Sequence, residues 1–216
     1  MNRETSRPGV VIVGCGPGSP QYLTVAAQRA AARADVLFGS RRLLALFPEC
    51  TGERIDTDAN VPVILAAIAE RVARAQCVVV LVSGDPGLFS LAQPVLREFG
   101  PEQCVVIPAV SSVQVAFSRL GLSWGDAEII SAHGRTPPHA AGDLMAAAKL
   151  AILAGTSDAI RWCAWAADLL RGTHVAFLLE NLTLDDERIQ QVTPETLAII
   201  DASPLSIVIF VRKELF

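Results

Sequence analysis

Val10-Val11-Ile12-Val13-Gly14-Cys15-Gly16-Pro17-Gly18-Ser19-Pro20, or VVIVGCGPGSP, lies close to the start of a chain of 216 residues. Its four β-branched residues suit a buried strand. The glycines and prolines that follow end the strand in a tight loop. An alanine-rich segment with helical spacing comes next. A strand, a glycine loop and a helix in that order open an α/β fold.

The same order repeats along the chain. Apolar runs predict strands at 10–13, 36–38, 78–82, 105–107, 127–131, 151–153, 175–179 and 207–211. Apolar residues three and four apart predict helices at 23–33, 41–46, 61–75, 88–99, 112–120, 142–148, 158–169 and 194–200. The strands are apolar on both faces, as in buried sheets. After Pro108 the strands alternate more, and ERIQQV (187–192) reads as a surface strand. A boundary near Pro108–Ser111 divides the chain into an N-terminal α/β domain, 1–109, and a C-terminal α/β domain, 110–216. There is no low-complexity linker and no internal repeat.

Composition narrows the function. The net charge is -4, which disfavours nucleic acid, because a duplex binder needs a basic face. No apolar run is long enough to cross a bilayer, and the N-terminal residues do not read as a signal peptide; the expected compartment is the cytoplasm. The five cysteines are widely spaced, without C-x-x-C, and read as buried free thiols. The three histidines show no metal-binding spacing, so no metal site is expected.

The opening loop fails as a dinucleotide fingerprint. Ser19 stands where the third glycine of G-x-G-x-x-G belongs, and Pro17 and Pro20 remove backbone donors. Asp35 comes at about the right distance but precedes its strand, at the wrong edge of a sheet for a ribose. No G-K-[ST] follows, which rules out a P-loop. A second loop follows VVVLV as Ser83-Gly84-Asp85-Pro86-Gly87. Gly84 and Gly87 let the main chain approach a ligand. Asp85 suits a cation or a hydroxyl, or else caps the following helix. A third loop, PAVSSVQ (108–114), offers Ser111 and Ser112 as helix caps or as hydroxyls facing the same crevice. Two glycine turns and one acid at strand ends suggest a partly cationic, adenosine-like ligand.

VGCGPGSPQYLT, SGDPGLFSLA and PAVSSVQVAFSRLGLSW, in that order and spacing, resemble the tetrapyrrole (corrin/porphyrin) methyltransferases that use S-adenosylmethionine. ADVLFGSRRLL, SAHGR, ENLTLDDERI and SPLSIVIF add a likeness to the branch that methylates C5 of precorrin-6Y or cobalt-precorrin-7 in cobalamin synthesis. The resemblance covers Val10 to Val211. It implies two α/β domains with the cofactor cleft between them, and a homodimer. It places Pro17 beside the active-site trough, Gly84, Asp85, Pro86, Leu88 and Phe89 in the cofactor loop, and Ser111, Ser112 and Val113 as further contacts. Ala132, Leu153, Leu182 and Pro204 are to close around the adenine and methionine ends. Gly16 and Gly18 are to wall the substrate trough, separately from the cofactor loop. The chain departs from the family at Ala109, where relatives carry glycine, and after Leu153, where T-D-P is missing.

Methyl transfer from a sulfonium needs alignment more than acid–base chemistry. His133 is the candidate for any proton transfer. Arg41, Arg42 and Arg135 are candidates to clamp the carboxylates of a tetrapyrrole, by bidentate bonds. The resemblance also implies a C15-methylating, decarboxylating partner or fused domain. The alternatives are methylation at another ring position or a diphthamide-type methylase of the same fold. Outside that class stand a nicotinamide-dependent oxidoreductase and a non-catalytic corrinoid carrier.

Overall fold

The computed structural model describes residues 9–58, 60–132 and 137–215. The chain divides into two compact units, Met1–Ser111 and Ser112–Phe216.

The first unit is a parallel sheet covered by helices. β1 (Val10–Gly14), β2 (Val36–Gly39), β3 (Glu53–Asp56), β4 (Val78–Val82) and β5 (Cys104–Ile107) pair in the order β3-β2-β4-β1-β5. All four pairings are parallel. Alternate strand residues serve two apolar cores. Val13, Leu37, Val79 and Leu81 meet Ala27 and Ala31 of α1 (Val25–Ala31) and Leu43 and Leu44 of α2 (Arg41–Leu44). On the other face Val10, Ile12, Phe38 and Val80 meet Ile64 and Ile68 of α3 (Val61–Ala73) and Val95 of α4 (Ala92–Phe99). Burial on both faces explains why these strands lack polar alternation. Thr24 caps α1 through Ala27 N (3.0 Å), and Asn60 caps α3 through Val63 N (3.2 Å).

The second unit begins with α5 (Ser112–Leu120) and carries a mixed sheet. β6 (Glu128–Ser131), β7 (Lys149–Leu153), β8 (His174–Glu180), β9 (Arg188–Val192) and β10 (Ser206–Arg212) pair in the order β6-β7-β10-β8-β9. Only β6 and β7 run parallel; the other three pairings are antiparallel. α6 (Ala141–Ala146), α7 (Ser157–Leu170) and α8 (Pro194–Ile199) complete the unit. The buried face of α7, with Ile160, Cys163 and Leu170, packs into one core with Ile152, Leu178 and Phe210.

Three elements differ from the sequence reading. β3 is an added edge strand, ERID, in which Ile55 alone is apolar, so no apolar run marks it. β5 is the opposite edge, and Val105 and Val106 are exposed rather than buried. α4 begins at Ala92, not at residue 88. Phe89 sits at φ 46°, which interrupts a helix, and Ser90 Oγ then accepts from Ala92 N (3.1 Å) while donating to Pro86 O (2.6 Å).

Candidate functional site

Because β4, β1 and β5 are neighbours, the loops that follow them emerge side by side at the carboxyl edge of the first sheet. Open α/β sheets bind ligands at this edge, where the chain order reverses. The loops are fastened together. Cys15 N donates to Val82 O (2.9 Å), and Gly16 and Gly84 exchange main-chain hydrogen bonds (3.3 and 2.9 Å) as an isolated bridge. Gly16 at φ 73° and Gly84 at φ 63° take left-handed conformations that favour glycine. The expected trough wall at Gly16 and the expected cofactor loop at Gly84 are thus joined through their main chains. Pro17 and Gly18 follow Gly16 and are buried.

Asp85 braces this assembly. Its Oδ1 accepts from Gly87 N (2.8 Å), closing a short turn, and its Oδ2 accepts from Ala109 N (3.0 Å) of the loop after β5. It does not cap α4, which starts seven residues later. Ala109 is not among the residues of positive φ, so this position needs no glycine. Gly14, read only as a turn residue from the sequence, is the tightest glycine of these loops. A Cβ there would lie 2.7 Å from Ala109 Cβ, 2.8 Å from Pro86 Cδ and 2.9 Å from Gly84 O. At Gly84, by contrast, an added Cβ meets only Ser111 Cα, at 3.8 Å. The main chain there is open to a group lying flat against it, which fits an adenosine-like ligand. Leu88 is half buried and Phe89 exposed. Ser111 is buried immediately before α5, and Ser112 and Val113 open that helix.

The candidate arginines separate. Arg41 is exposed and its Nε donates to Asp56 (2.7 Å), an ordinary surface pair. Arg42 is half buried and its Nη2 donates to Ser83 Oγ (3.0 Å), at the start of the Gly84 loop. Its Nη1 is buried with no hydrogen-bond partner among the described residues. Desolvation holds the Arg42 guanidinium below its ordinary pKa, and burial pushes the nearby Cys15 thiol up to about 12, so Cys15 stays neutral. His133 and Arg135 lie outside the described residues. Asp35 accepts from Cys77 N (2.6 Å), just before β4, and so braces the amino edge of the sheet. A cavity of about 1020 Å³ opens at that amino edge, against Arg29, Arg33 and Gln76, and no predicted site residue lines it.

In the second unit the four remaining candidates collect at one end of the sheet. Antiparallel pairing sets Ser206 of β10 opposite Glu180 of β8, and Ile207 opposite Leu153 of β7. The carboxyl ends of β6, β7 and β8 therefore share an edge with the start of β10. Ala132 follows β6 and donates to Leu153 O (3.0 Å). Leu182 follows β8 and Pro204 precedes β10. Ala132 and Leu182 are buried, Leu153 is half buried and Pro204 is exposed. The missing T-D-P after Leu153 leaves that strand end in place, with Ala154 N held by Ser206 O (3.0 Å).

A parallel first sheet with bridged glycine loops and a mixed second sheet with gathered strand ends define a class. The chain belongs to the tetrapyrrole (corrin/porphyrin) methylases, whose family model matches residues 9–198. A cobalt-precorrin-7 C(5)-methyltransferase of Salmonella typhimurium is 38% identical over 126 residues, 58% of this chain and 62% of that relative. The matched stretch thus spans less than two thirds of that relative's length. The crystal structure of the precorrin-6Y methylase of Archaeoglobus fulgidus has a TM-score of 0.73 at 27% identity, covering 94% of this chain and 98% of that one. A uroporphyrin-III C-methyltransferase of Thermus thermophilus, complexed with S-adenyl homocysteine, has a TM-score of 0.74 at 25% identity, with 94% and 91% covered. Among the described residues no helix is long and apolar enough to cross a membrane.

Proposed function

We propose that the chain is an S-adenosylmethionine-dependent methyltransferase acting on C5 of precorrin-6Y or cobalt-precorrin-7 in cobalamin synthesis. The observation that carries this reading is the 38% identity to a cobalt-precorrin-7 C(5)-methyltransferase. The likeness to a precorrin-6Y methylase over nearly both whole chains supports it. The complex of a structural neighbour with S-adenyl homocysteine supports the choice of cofactor.

When bound, S-adenosylmethionine supplies a methyl group already activated by its sulfonium. The protein's part is to bind, orient and exclude water. The open main chain at Gly84 receives the cofactor, with Pro86, Leu88, Phe89, Ser111, Ser112 and Val113 beside it. Asp85 acts by holding the loop in shape, and Pro17 by stiffening the loop bridged to it. Ala132, Leu153, Leu182 and Pro204 are the contacts of the second unit. Arg42, half buried and bonded through Nη2 to Ser83 at the start of the Gly84 loop, is the clamp for a substrate carboxylate; Arg41 is engaged with Asp56 instead. His133 is the proton-transfer candidate and Arg135 a second clamp. A homodimer, a cytoplasmic location and a C15-methylating partner belong to the same reading.

Calorimetry tests the cofactor half of the proposal. Binding of S-adenosylhomocysteine with none of NADH is the expected result. Binding of NADH alone would return the protein to the oxidoreductases.

A further inference from the structure

Resting on the reading of Leu182 and Pro204 as cofactor contacts, we infer that Asn181 is the positioning residue that sets both of them. Asn181 directly follows β8 at φ 52°, a left-handed conformation that asparagine tolerates better than most residues. Every polar group it has is engaged. Its N–H donates to Leu205 O (3.0 Å), and its C=O accepts from Leu184 N (2.9 Å). Its Nδ2 donates to Asp186 Oδ2 (2.8 Å), and its Oδ1 accepts from Ser203 Oγ (2.6 Å). One side chain therefore ties the turn after β8 to the turn before β10.

The neighbours reinforce the tie. Ser203 Oγ also accepts from Leu205 N (3.1 Å), so the residue bonded to Asn181 shapes the backbone on either side of Pro204. The Ser203 N–H donates to buried Glu180 (2.9 Å), whose other oxygen accepts from Arg188 Nε (2.7 Å). On the far side of Leu182, Thr183 stands at φ 72°, unusual for a β-branched residue. Its N–H donates to Glu187 (2.6 Å), a carboxylate held by Arg119 (2.7 Å). Leu182 is thus pinned between two left-handed residues, each fixed by side chains. Such conformations persist only where the surroundings over-determine them, and they gather at ligand-holding segments.

Asn181→Gly keeps the left-handed backbone and removes only the side-chain tie. The expected result is about tenfold weaker S-adenosylhomocysteine binding by calorimetry, the size of the one hydrogen bond, from Ser203 Oγ, that joins the two turns. KM for S-adenosylmethionine should rise by a similar factor, with kcat at saturation within about twofold of wild type. A residue serving stability alone would lower the melting temperature and leave KM in place. Asn181→Asp alone sets two carboxylates face to face. Adding Asp186→Asn restores a donor–acceptor pair with its ends exchanged and should recover affinity. Should Asn181→Gly fail to fold, Ser203→Ala breaks the same bond from its other end, together with the bond from Leu205 N, and should weaken binding at least as much. Wild-type affinity in a folded Asn181→Gly or Ser203→Ala protein overturns the inference. Absence of S-adenosylhomocysteine binding by the wild-type chain overturns the cofactor reading first, and this inference with it.

Discussion

Gly14→Ala adds one methyl group at the point where the three loops of the first unit close on one another. The new Cβ would lie 2.7 Å from Ala109 Cβ, 2.8 Å from Pro86 Cδ and 2.9 Å from Gly84 O. None of these is the free end of a flexible side chain. One is a main-chain oxygen, one belongs to a proline ring and one is the Cβ of a residue whose N–H is tied to Asp85 (3.0 Å). Relief requires the loops to part by roughly half an ångström or more, against the steep repulsive wall of the contact. Overpacking of this kind typically costs about 1–3 kcal/mol of stability. The same displacement moves the Gly84 main chain, so binding suffers as well as folding; a misplacement of about 1 Å can lower turnover ~10²-fold. Denaturant unfolding and calorimetry with S-adenosylhomocysteine read the two effects separately. Adding Ala109→Gly removes the nearest of the three contacts and should recover part of both losses. Unchanged affinity together with a stability loss under about 0.5 kcal/mol, the range of ordinary surface substitutions, would refute the reasoning.

Asp85→Asn sets an amide NH₂ against one of the two main-chain N–H groups that the carboxylate now accepts from. It should destabilise the loop by about 1–3 kcal/mol and weaken S-adenosylhomocysteine binding, measured on the same protein by calorimetry. Arg42→Ala should raise KM for the tetrapyrrole while S-adenosylhomocysteine affinity changes far less. Arg41→Ala, at an exposed pair with Asp56, should leave KM unmoved. Steady-state kinetics of the two variants side by side decide which arginine meets the substrate. Arg119 and the Thr183 N–H hold the Glu187 carboxyl below its ordinary pKa. A carboxyl with a depressed folded pKa stabilises above its unfolded pKa and loses that contribution as pH falls through the folded value. Glu187→Gln should therefore flatten the acid side of the stability–pH profile; an unchanged acid limb would contradict the coupling.

The first unit was legible because its chemistry is local. Buried parallel strands leave continuous apolar runs such as VVVLV, and glycine loops punctuate their ends. β3 escaped because a short, charged edge strand is defined by its neighbour β2 rather than by its own residues. The late start of α4 escaped because LFSLA has a helical pattern, and only the positive φ of Phe89 breaks it. At the site, sequence alone named Asp85 but left two roles open, cofactor contact or helix cap. The observed one, bracing Ala109, spans residues far apart in the chain and has no local signature. The bridge between Gly16 and Gly84 was hidden for the same reason. Arg41 and Arg42 are identical and adjacent in sequence, and only three-dimensional partners separate them. Asn181 has no local signature, because its bond to Ser203 depends on how β8 and β10 pair.

The central claim is that this chain places a methyl group on C5 of a corrinoid precursor. Incubation with precorrin-6Y or cobalt-precorrin-7 and S-adenosylmethionine carrying a ¹³C-labelled methyl, followed by NMR of the product, tests it most directly. The predicted result is a single labelled methyl on C5. A labelled methyl at C15 instead, or none on the ring while S-adenosylhomocysteine still binds, would contradict it.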